Sequence, residues 1–367
     1  MYDMYQVLIN ILLSIALSVG VTPLIKKLSY KIGAVDIPNK RRMNTEIMPS
    51  MGGLGIYLVF FFTIIFLQPV ANRIAIPMFI AASFVILTGM IDDIKEISPK
   101  MKMAGLLAAA LIIIFLNDLT IAQVSVPFIG EINLPMWIGL PFTILWILAI
   151  TNSINLIDGL DGLASGVSII ALSTMGIIGV FFLDTNSFET SIMIFTLVGS
   201  IIGFLPYNFN PAKIYLGDTG ALFLGFMISV LSLYGLKNVT LISLIIPIVI
   251  LGIPITDTIY AMLRRKLNKM PISSADKHHM HHRLMTLGLT HRQTVLVIYL
   301  VAGIFSMIAL LYPISTLLGS VLITIALLIG LEVFVELIGL VGEDRRPLLK
   351  RLRQFGDKLN KNNKKKH

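Results

Sequence analysis

Four separated groups of acids, amides and bases hold the chemistry this sequence can do. The first, GMIDDIKEISPKMK at 89–102, sets Asp92 beside Asp93 where an apolar run ends. Neighbours on a helix differ by about 100°, so the two carboxylates point apart, one inward and one toward a partner. Acids at a helix C-terminus oppose the macrodipole, a local conflict that points to function. Lys95, Lys100 and Lys102 follow, the cations an anion site would use. The second group, TNSINLIDGLDGLASG at 151–166, spaces Asn152, Asn155, Asp158 and Asp161 by threes. On a helical turn that spacing places them near one face. Gly159 and Gly162 let backbone approach a ligand closely. The third, NPAKIYLGDTGALFLG at 210–225, puts Asp218 between two glycines, as a helix cap or as a ligand. The fourth, SSADKHHMHHRL, crowds His278, His279, His281 and His282 ahead of Arg283 in the long basic stretch 261–294.

Carboxylates and amide oxygens suit a hard divalent cation, and Mg²⁺ typically takes one or two carboxylates plus phosphate. Histidine, lysine and arginine donate hydrogen bonds to phosphate oxygens. A zinc site is the lesser reading of the histidines, because no thiol and no HExxH helix accompanies them. Metal-assisted phosphoryl chemistry needs this combination of groups. No P-loop and no kinase motif set is present. Asp257 keeps an open role, and Glu332 and Glu336 read as partners of the basic tail or as groups reaching the membrane interface.

These groups must be held by a membrane scaffold. Of the 367 residues, 56% are hydrophobic and only 13% charged, and the mean hydropathy is +0.87. A soluble or disordered chain does not have that composition. With no cysteine, disulfides, thiolate metal sites and cysteine nucleophiles are excluded. The pattern predicts an all-α polytopic helix bundle with about eleven spans, near 5–25, 51–68, 74–91, 103–117, 134–151, 163–183, 191–206, 220–236, 240–260, 295–312 and 314–341. The first run has no charged n-region and no small-residue cleavage site, so it is expected to be retained. On this alternation 27 of the 29 Lys and Arg fall on one side, which predicts an outside N-terminus and a cytoplasmic C-terminus. Residues 1–341 then form a transmembrane catalytic domain whose cytoplasmic loops are 26–50, 92–102, 152–162, 207–219 and 261–294, and 342–367 form a basic cytoplasmic tail. Topology and attraction to anionic lipid account for the tail, so no nucleic-acid partner is expected. A transporter is the rival from another class, but its sites usually lie at the bilayer midplane between repeated halves. Here the acids gather at one interface and no repeat is visible.

The chain resembles the polyprenyl-phosphate N-acetylhexosamine-1-phosphate transferases, in the bacterial branch that uses UDP-GlcNAc and undecaprenyl phosphate. IDD at 91–93, NSINLIDGLDGL at 152–163, YLGDTGA at 215–221 and ADKHHMHHRL at 275–284 carry the resemblance, with PSMGGLGI at 49–56 as a weaker match. The resemblance implies a Mg²⁺-dependent enzyme, with Mn²⁺ able to substitute, at the cytoplasmic face of the cell membrane. Asp218 would ligate the metal with Asn152 as second ligand. Asp92 and Asp93 would lie at the reacting phosphates, with Asp92 as candidate base, and Lys102 would contact phosphate. Asn155, Asp158 and Asp161 would line the nucleotide side. His279, His281, His282 and Arg283 would contact diphosphate or sugar, with HHMHH aligned on His279 rather than His278. The HxHHR form sets it apart from the sister reaction on UDP-MurNAc-pentapeptide. A membrane homodimer is compatible with the family. The absence of cysteine and the Lys/Asn-rich tail hint at a Gram-positive source, where this step serves wall teichoic acid linkage units; elsewhere it starts O-antigen or other surface polysaccharides.

Overall fold

The computed structural model describes residues 4–38, 46–67, 70–126, 130–182, 188–235, 241–270, 279–340 and 347–350. His278 and most of the basic tail, with its expected place against lipid headgroups, lie outside the described residues. The chain is an all-α multi-pass membrane protein. Its helices are α1 (Met4–Ile32), α2 (Gly52–Phe62), α3 (Asn72–Lys95), α4 (Pro99–Asn117), α5 (Met136–Ile157), α6 (Leu163–Phe181) and α7 (Phe188–Asn208). They continue with α8 (Gly217–Gly235), α9 (Leu241–Ile250), α10 (Gly252–Leu267), α11 (Met280–Thr286), α12 (His291–Ala309) and α13 (Leu317–Ile338). Two short antiparallel ribbons complete the described elements: β1 (Val35–Asp36) with β2 (Met48–Pro49), and β3 (Gln123–Val126) with β4 (Gly130–Asn133).

Among the described residues nine helices are long and apolar enough to cross a membrane. The two remaining expected spans are shorter pieces. That at 51–68 is α2 extended by a π-helical turn, Thr63–Leu67. That at 240–260 is α9 and α10, which meet at Leu251 and Gly252.

Helix α8 is the centre of the bundle: 83% of its span is buried by other helices, against 17% for α13. Apolar side chains of α13 such as Leu318, Leu322 and Leu328 are exposed on its outer side, as a lipid-facing helix requires. Between helices in lipid there is little hydrophobic driving force, so close packing at small residues decides who sits next to α8. Glycines make those approaches. A Cβ on Gly53 of α2 would lie 1.9 Å from Gly220 Cα, and one on Gly89 of α3 would lie 2.4 Å from Thr219 Cα. On α8 itself, a Cβ on Gly225 would lie 2.7 Å from Thr151 Cα of α5. The first turn of α8 is thus clamped directly between α2 and α3.

The clamp also satisfies backbone groups that helix starts leave open. Gly52 N and Gly53 N of α2 donate to the carbonyls of Tyr215 and Leu216 at 2.9 and 3.1 Å, and Tyr215 N donates to Pro49 O at 2.8 Å. The segment PSMGGLGI is therefore laced to YLGDTGA. Close by, α3 and α4 form a tight helical hairpin. Glu96 ends α3 in the left-handed region at φ 47°, Ser98 caps α4, and Pro99 sits at its first position. The hairpin folds Lys102 back over Asp92.

Candidate active site

A polar cleft of about 800 Å³ opens at the end of the bundle where these turns meet. Residues from all five loops that the sequence placed on one side contribute to it, among them Asp36, Asp92, Asp158, Asp218 and His281. Volumes of roughly 300–1,000 Å³ are usual for small-molecule sites.

Behind Asp92 and Asp218, which line it, the ammonium of Lys102 bridges the two carboxylates. It is 2.9 Å from Asp92 Oδ2 and also bonded to Asp218 Oδ2. Asn155 Nδ2 donates to the other oxygen, Asp218 Oδ1, at 2.6 Å. Asp92 Oδ1 accepts from the backbone N–H of Ile97 at 2.9 Å, which fixes that carboxylate to the hairpin turn. Asp92, Lys102, Asn155 and Asp218 thus form one connected unit from four elements of structure.

Asp93 points the other way. Its carboxylate accepts from Asp218 N at 2.9 Å, Thr219 N at 3.1 Å, Thr219 Oγ1 at 2.6 Å and Ser50 Oγ at 3.1 Å. It lies one turn after Gly89, the contact point of α3 with α8. Asp93 is therefore the cap of α8, supplied from a neighbouring helix. The divergence expected of adjacent carboxylates is present, with Asp92 committed to Lys102 and Asp93 to the helix that carries Asp218.

The step-of-three series in 152–161 divides in two. Helix α5 ends at Ile157, so only Asn152 and Asn155 share a helical face. Asn152 Nδ2 donates back to Leu148 O at 2.7 Å, and among the described residues its carbonyl oxygen accepts no hydrogen bond. Asp158 and Asp161 lie in the following turn, which Gly162 closes at φ +79° before α6. Burial holds the Asp158 carboxyl well above the usual carboxylate range, and the charges of Asp218, Asp93 and Asp161 add to the effect. Asp161 Oδ2 accepts from Asn210 Nδ2 at 2.9 Å and Ala212 N at 3.2 Å.

The histidines also separate. His281 and His282 line the cleft, with rings 4.2 Å apart. His279 is buried behind them, stacked parallel to His281 at 6.0 Å. Its Nδ1 is 2.8 Å from Asp257 Oδ2, and Asp257 Oδ1 accepts from Met280 N at 2.7 Å. The structural reason is the start of α11. His279 is its N-cap residue in extended conformation, outside the helical spacing that carries His281 and His282. Asp257, left open by the sequence, is thus the buried brace of the histidine helix. Burial first, then neighbouring His282, pushes His281 down to about 3, so its imidazole is neutral at physiological pH. Arg283 Nε donates to Ile338 O at 3.4 Å and Arg264 Nη1 to Leu340 O at 2.8 Å, placing cations at the C-terminal end of α13. Glu336 accepts from the backbone amides of Leu348 and Leu349, both at 2.8 Å, and Glu332 from Tyr260 Oη at 2.5 Å. Glu336 therefore meets the tail through its backbone.

His281 rests directly on Gly159, where a Cβ would fall 2.5 Å from His281 Nε2. Gly159→Ala is expected to displace the imidazole and lower turnover by about tenfold, with the melting temperature nearly unchanged because only a side-chain end must move. Steady-state kinetics with a thermal melt on the same preparation checks this.

Magnesium fits the residues at the core. Two carboxylate oxygens already converge there on one cation, the Lys102 ammonium. Among the described residues no three His, Asp or Glu side chains form a closed metal-ligand group.

Residues 75–236 match the family described as Glycosyl transferase family 4. The chain is 43% identical over 348 residues to the probable undecaprenyl-phosphate N-acetylglucosaminyl 1-phosphate transferase of Bacillus subtilis, covering 95% of this chain and 96% of that one. It is 30% identical over 306 residues to the decaprenyl-phosphate N-acetylglucosaminephosphotransferase of Mycobacterium tuberculosis, covering 76% of each chain. With the undecaprenyl-phosphate alpha-N-acetylglucosaminyl 1-phosphate transferase of Escherichia coli K12 it shares 27% identity over 292 residues, 78% of each chain. A helix bundle with a carboxylate, lysine and histidine cleft at one end, together with near full-length similarity of this kind, makes the chain a member of the polyprenyl-phosphate N-acetylhexosamine-1-phosphate transferase family.

Proposed function

We propose that the protein transfers GlcNAc-1-phosphate from UDP-GlcNAc to undecaprenyl phosphate at the cytoplasmic face of the cell membrane. An oxygen of the lipid phosphate attacks the β-phosphorus of the nucleotide sugar. The bond from that phosphorus to the bridging oxygen breaks, UMP leaves with the oxygen and its electron pair, and undecaprenyl-diphospho-GlcNAc forms. The observation that carries the reading is the bridge of Lys102 between Asp92 and Asp218, two carboxylates that line the cleft, in a chain so similar to enzymes named for this transfer. The cation bias of 27 among 29 supports the cytoplasmic orientation and the eleven-span count from which it follows.

Mg²⁺, when bound, would neutralise phosphate charge and hold the diphosphate in line for displacement. Asp218 would hold it, with the side-chain carbonyl oxygens of Asn152 and Asn155, which accept no hydrogen bond among the described residues, near enough in sequence to assist. Lys102 supplies positive charge to the reacting phosphates. A phosphate monoester with a second pKa near 6 is largely dianionic at neutral pH, so no strong base is obligatory. Asp92 therefore orients the nucleophile and Lys102 at least as much as it removes a proton. Neutral His281, with His282, donates hydrogen bonds to the substrate without adding a fixed charge. The apolar outer faces of the helices beside the cleft accommodate the polyprenyl chain. The absence of cysteine and the Lys/Asn-rich tail favour wall teichoic acid linkage units as the polymer served.

The test is transfer by purified protein in detergent, supplied with undecaprenyl phosphate, Mg²⁺ and UDP-GlcNAc labelled in the sugar. Label is expected in lipid, with release of UMP, and EDTA is expected to stop both. In a parallel tube, transfer only from UDP-MurNAc-pentapeptide would move the protein to the sister reaction. Transfer from neither by folded protein would overturn the reading.

A further inference from the structure

One wall of the cleft comes from a residue outside the four motif groups. His291 is the first residue of α12, after Thr290, whose side chain and that of Gln293 cap the helix reciprocally. Its ring lines the cleft with Leu160, Asp161 and His282. His291 Nε2 accepts a hydrogen bond from the backbone N–H of Asp161 at 3.0 Å. A ring nitrogen that accepts is unprotonated, so the proton of the neutral imidazole is on Nδ1. Among the described residues Nδ1 has no hydrogen-bond partner.

The turn that carries Asp161 does not depend on His291. It is held through the Asp161 carboxylate by Asn210 and Ala212 N, and Arg292 Nε donates to Asn210 O at 3.0 Å. The bond from Asp161 N therefore acts on the imidazole: it fixes the tautomer and the ring orientation. The result is a half-buried N–H donor, held rigidly, without a hydrogen-bond partner among the described residues, at the edge of a polar cleft.

We propose that His291 is a nucleotide-binding residue, its Nδ1–H donating to an acceptor oxygen of the uridine nucleotide. The inference rests on the proposed use of a UDP-sugar in this cleft.

The two ring nitrogens can be mimicked separately. Asparagine places an amide near Nδ1 and glutamine places one near Nε2. Titration calorimetry of UMP and of uridine on the purified full-length protein would compare wild type with His291→Ala, His291→Asn and His291→Gln. Alanine is expected to weaken UMP binding about tenfold, the worth of one well-placed hydrogen bond. Asparagine should recover most of that loss and glutamine should not. In turnover assays the KM for UDP-GlcNAc should rise in His291→Ala while the KM for the lipid phosphate stays put. Parallel weakening of uridine would place the accepted oxygen on the base or ribose, and weakening of UMP alone would place it on phosphate. Recovery by glutamine but not asparagine would mean that His291 only braces the Asp161 turn, and would overturn the proposal, as would unchanged binding in all three variants. Wild-type protein that binds no UMP would instead remove the UDP-sugar reading itself, and this proposal with it.

Discussion

Asp218→Asn is expected to lower turnover by at least about 10³-fold, some 4 kcal/mol of transition-state stabilisation, while the protein stays folded. Both carboxylate oxygens of Asp218 are in use, one with Lys102 and one with Asn155. The substitution removes a negative charge from the group that joins Lys102 to α5 and α8, and with it the proposed principal ligand for a divalent cation. Lys102 would be left with Asp92 alone. Folding should survive because Asp218 is tied to Asp93 through its backbone N–H, which the substitution leaves intact. A labelled-transfer assay beside a thermal melt decides the matter. A melting temperature that falls together with turnover would mean that Asp218 is a structural residue.

Asp93→Ala is expected to do the opposite first, destabilising the protein by about 3 kcal/mol or more. Four donors converge on this carboxylate, two of them backbone N–H groups of the first turn of α8. Loss of a helix cap costs about 1 kcal/mol. Each buried donor left without an acceptor costs roughly 1–3 kcal/mol more. Activity would follow stability down, because α8 carries Asp218. The adjacent Asp92→Ala is the control. Asp92 makes one bond to a backbone amide and one to Lys102, so its removal should cost about 1 kcal/mol while abolishing turnover. Denaturant or thermal unfolding of the two variants in the same detergent separates them. Equal stability would show that Asp93 does not cap α8.

Much of the site is legible in the chain because its signals are local. IDD, NSINLIDGLDGL, YLGDTGA and the histidine run are short, polar and surrounded by apolar residues, and a charge near a membrane span has few reasons to exist without a use. What was hidden are partners far apart in sequence. Asp257 reads as a stray acid near the end of an apolar run, and its role appears only when His279 and Met280 close on it across more than twenty residues. His291 belongs to no cluster. The one hint was a Thr-His-Arg-Gln helix start seven residues after Arg283, in the same basic stretch. The even spacing of Asn152, Asn155, Asp158 and Asp161 invited a single helical face, but the two glycines that permit close approach also permit the chain to turn, and the turn splits the series.

Composition, the run lengths of apolar residues and the one-sided placement of cations by themselves determined a polytopic helix bundle with its polar groups at one end. These are sums over neighbouring residues, and the low solubility of backbone and charge in hydrocarbon makes such sums decisive. Only the tertiary structure decided which of two adjacent aspartates holds α8 and which holds Lys102. That choice depends on the rotation of α3 about its own axis, and the rotation is set where Gly89 lets the first turn of α8 come into contact with it.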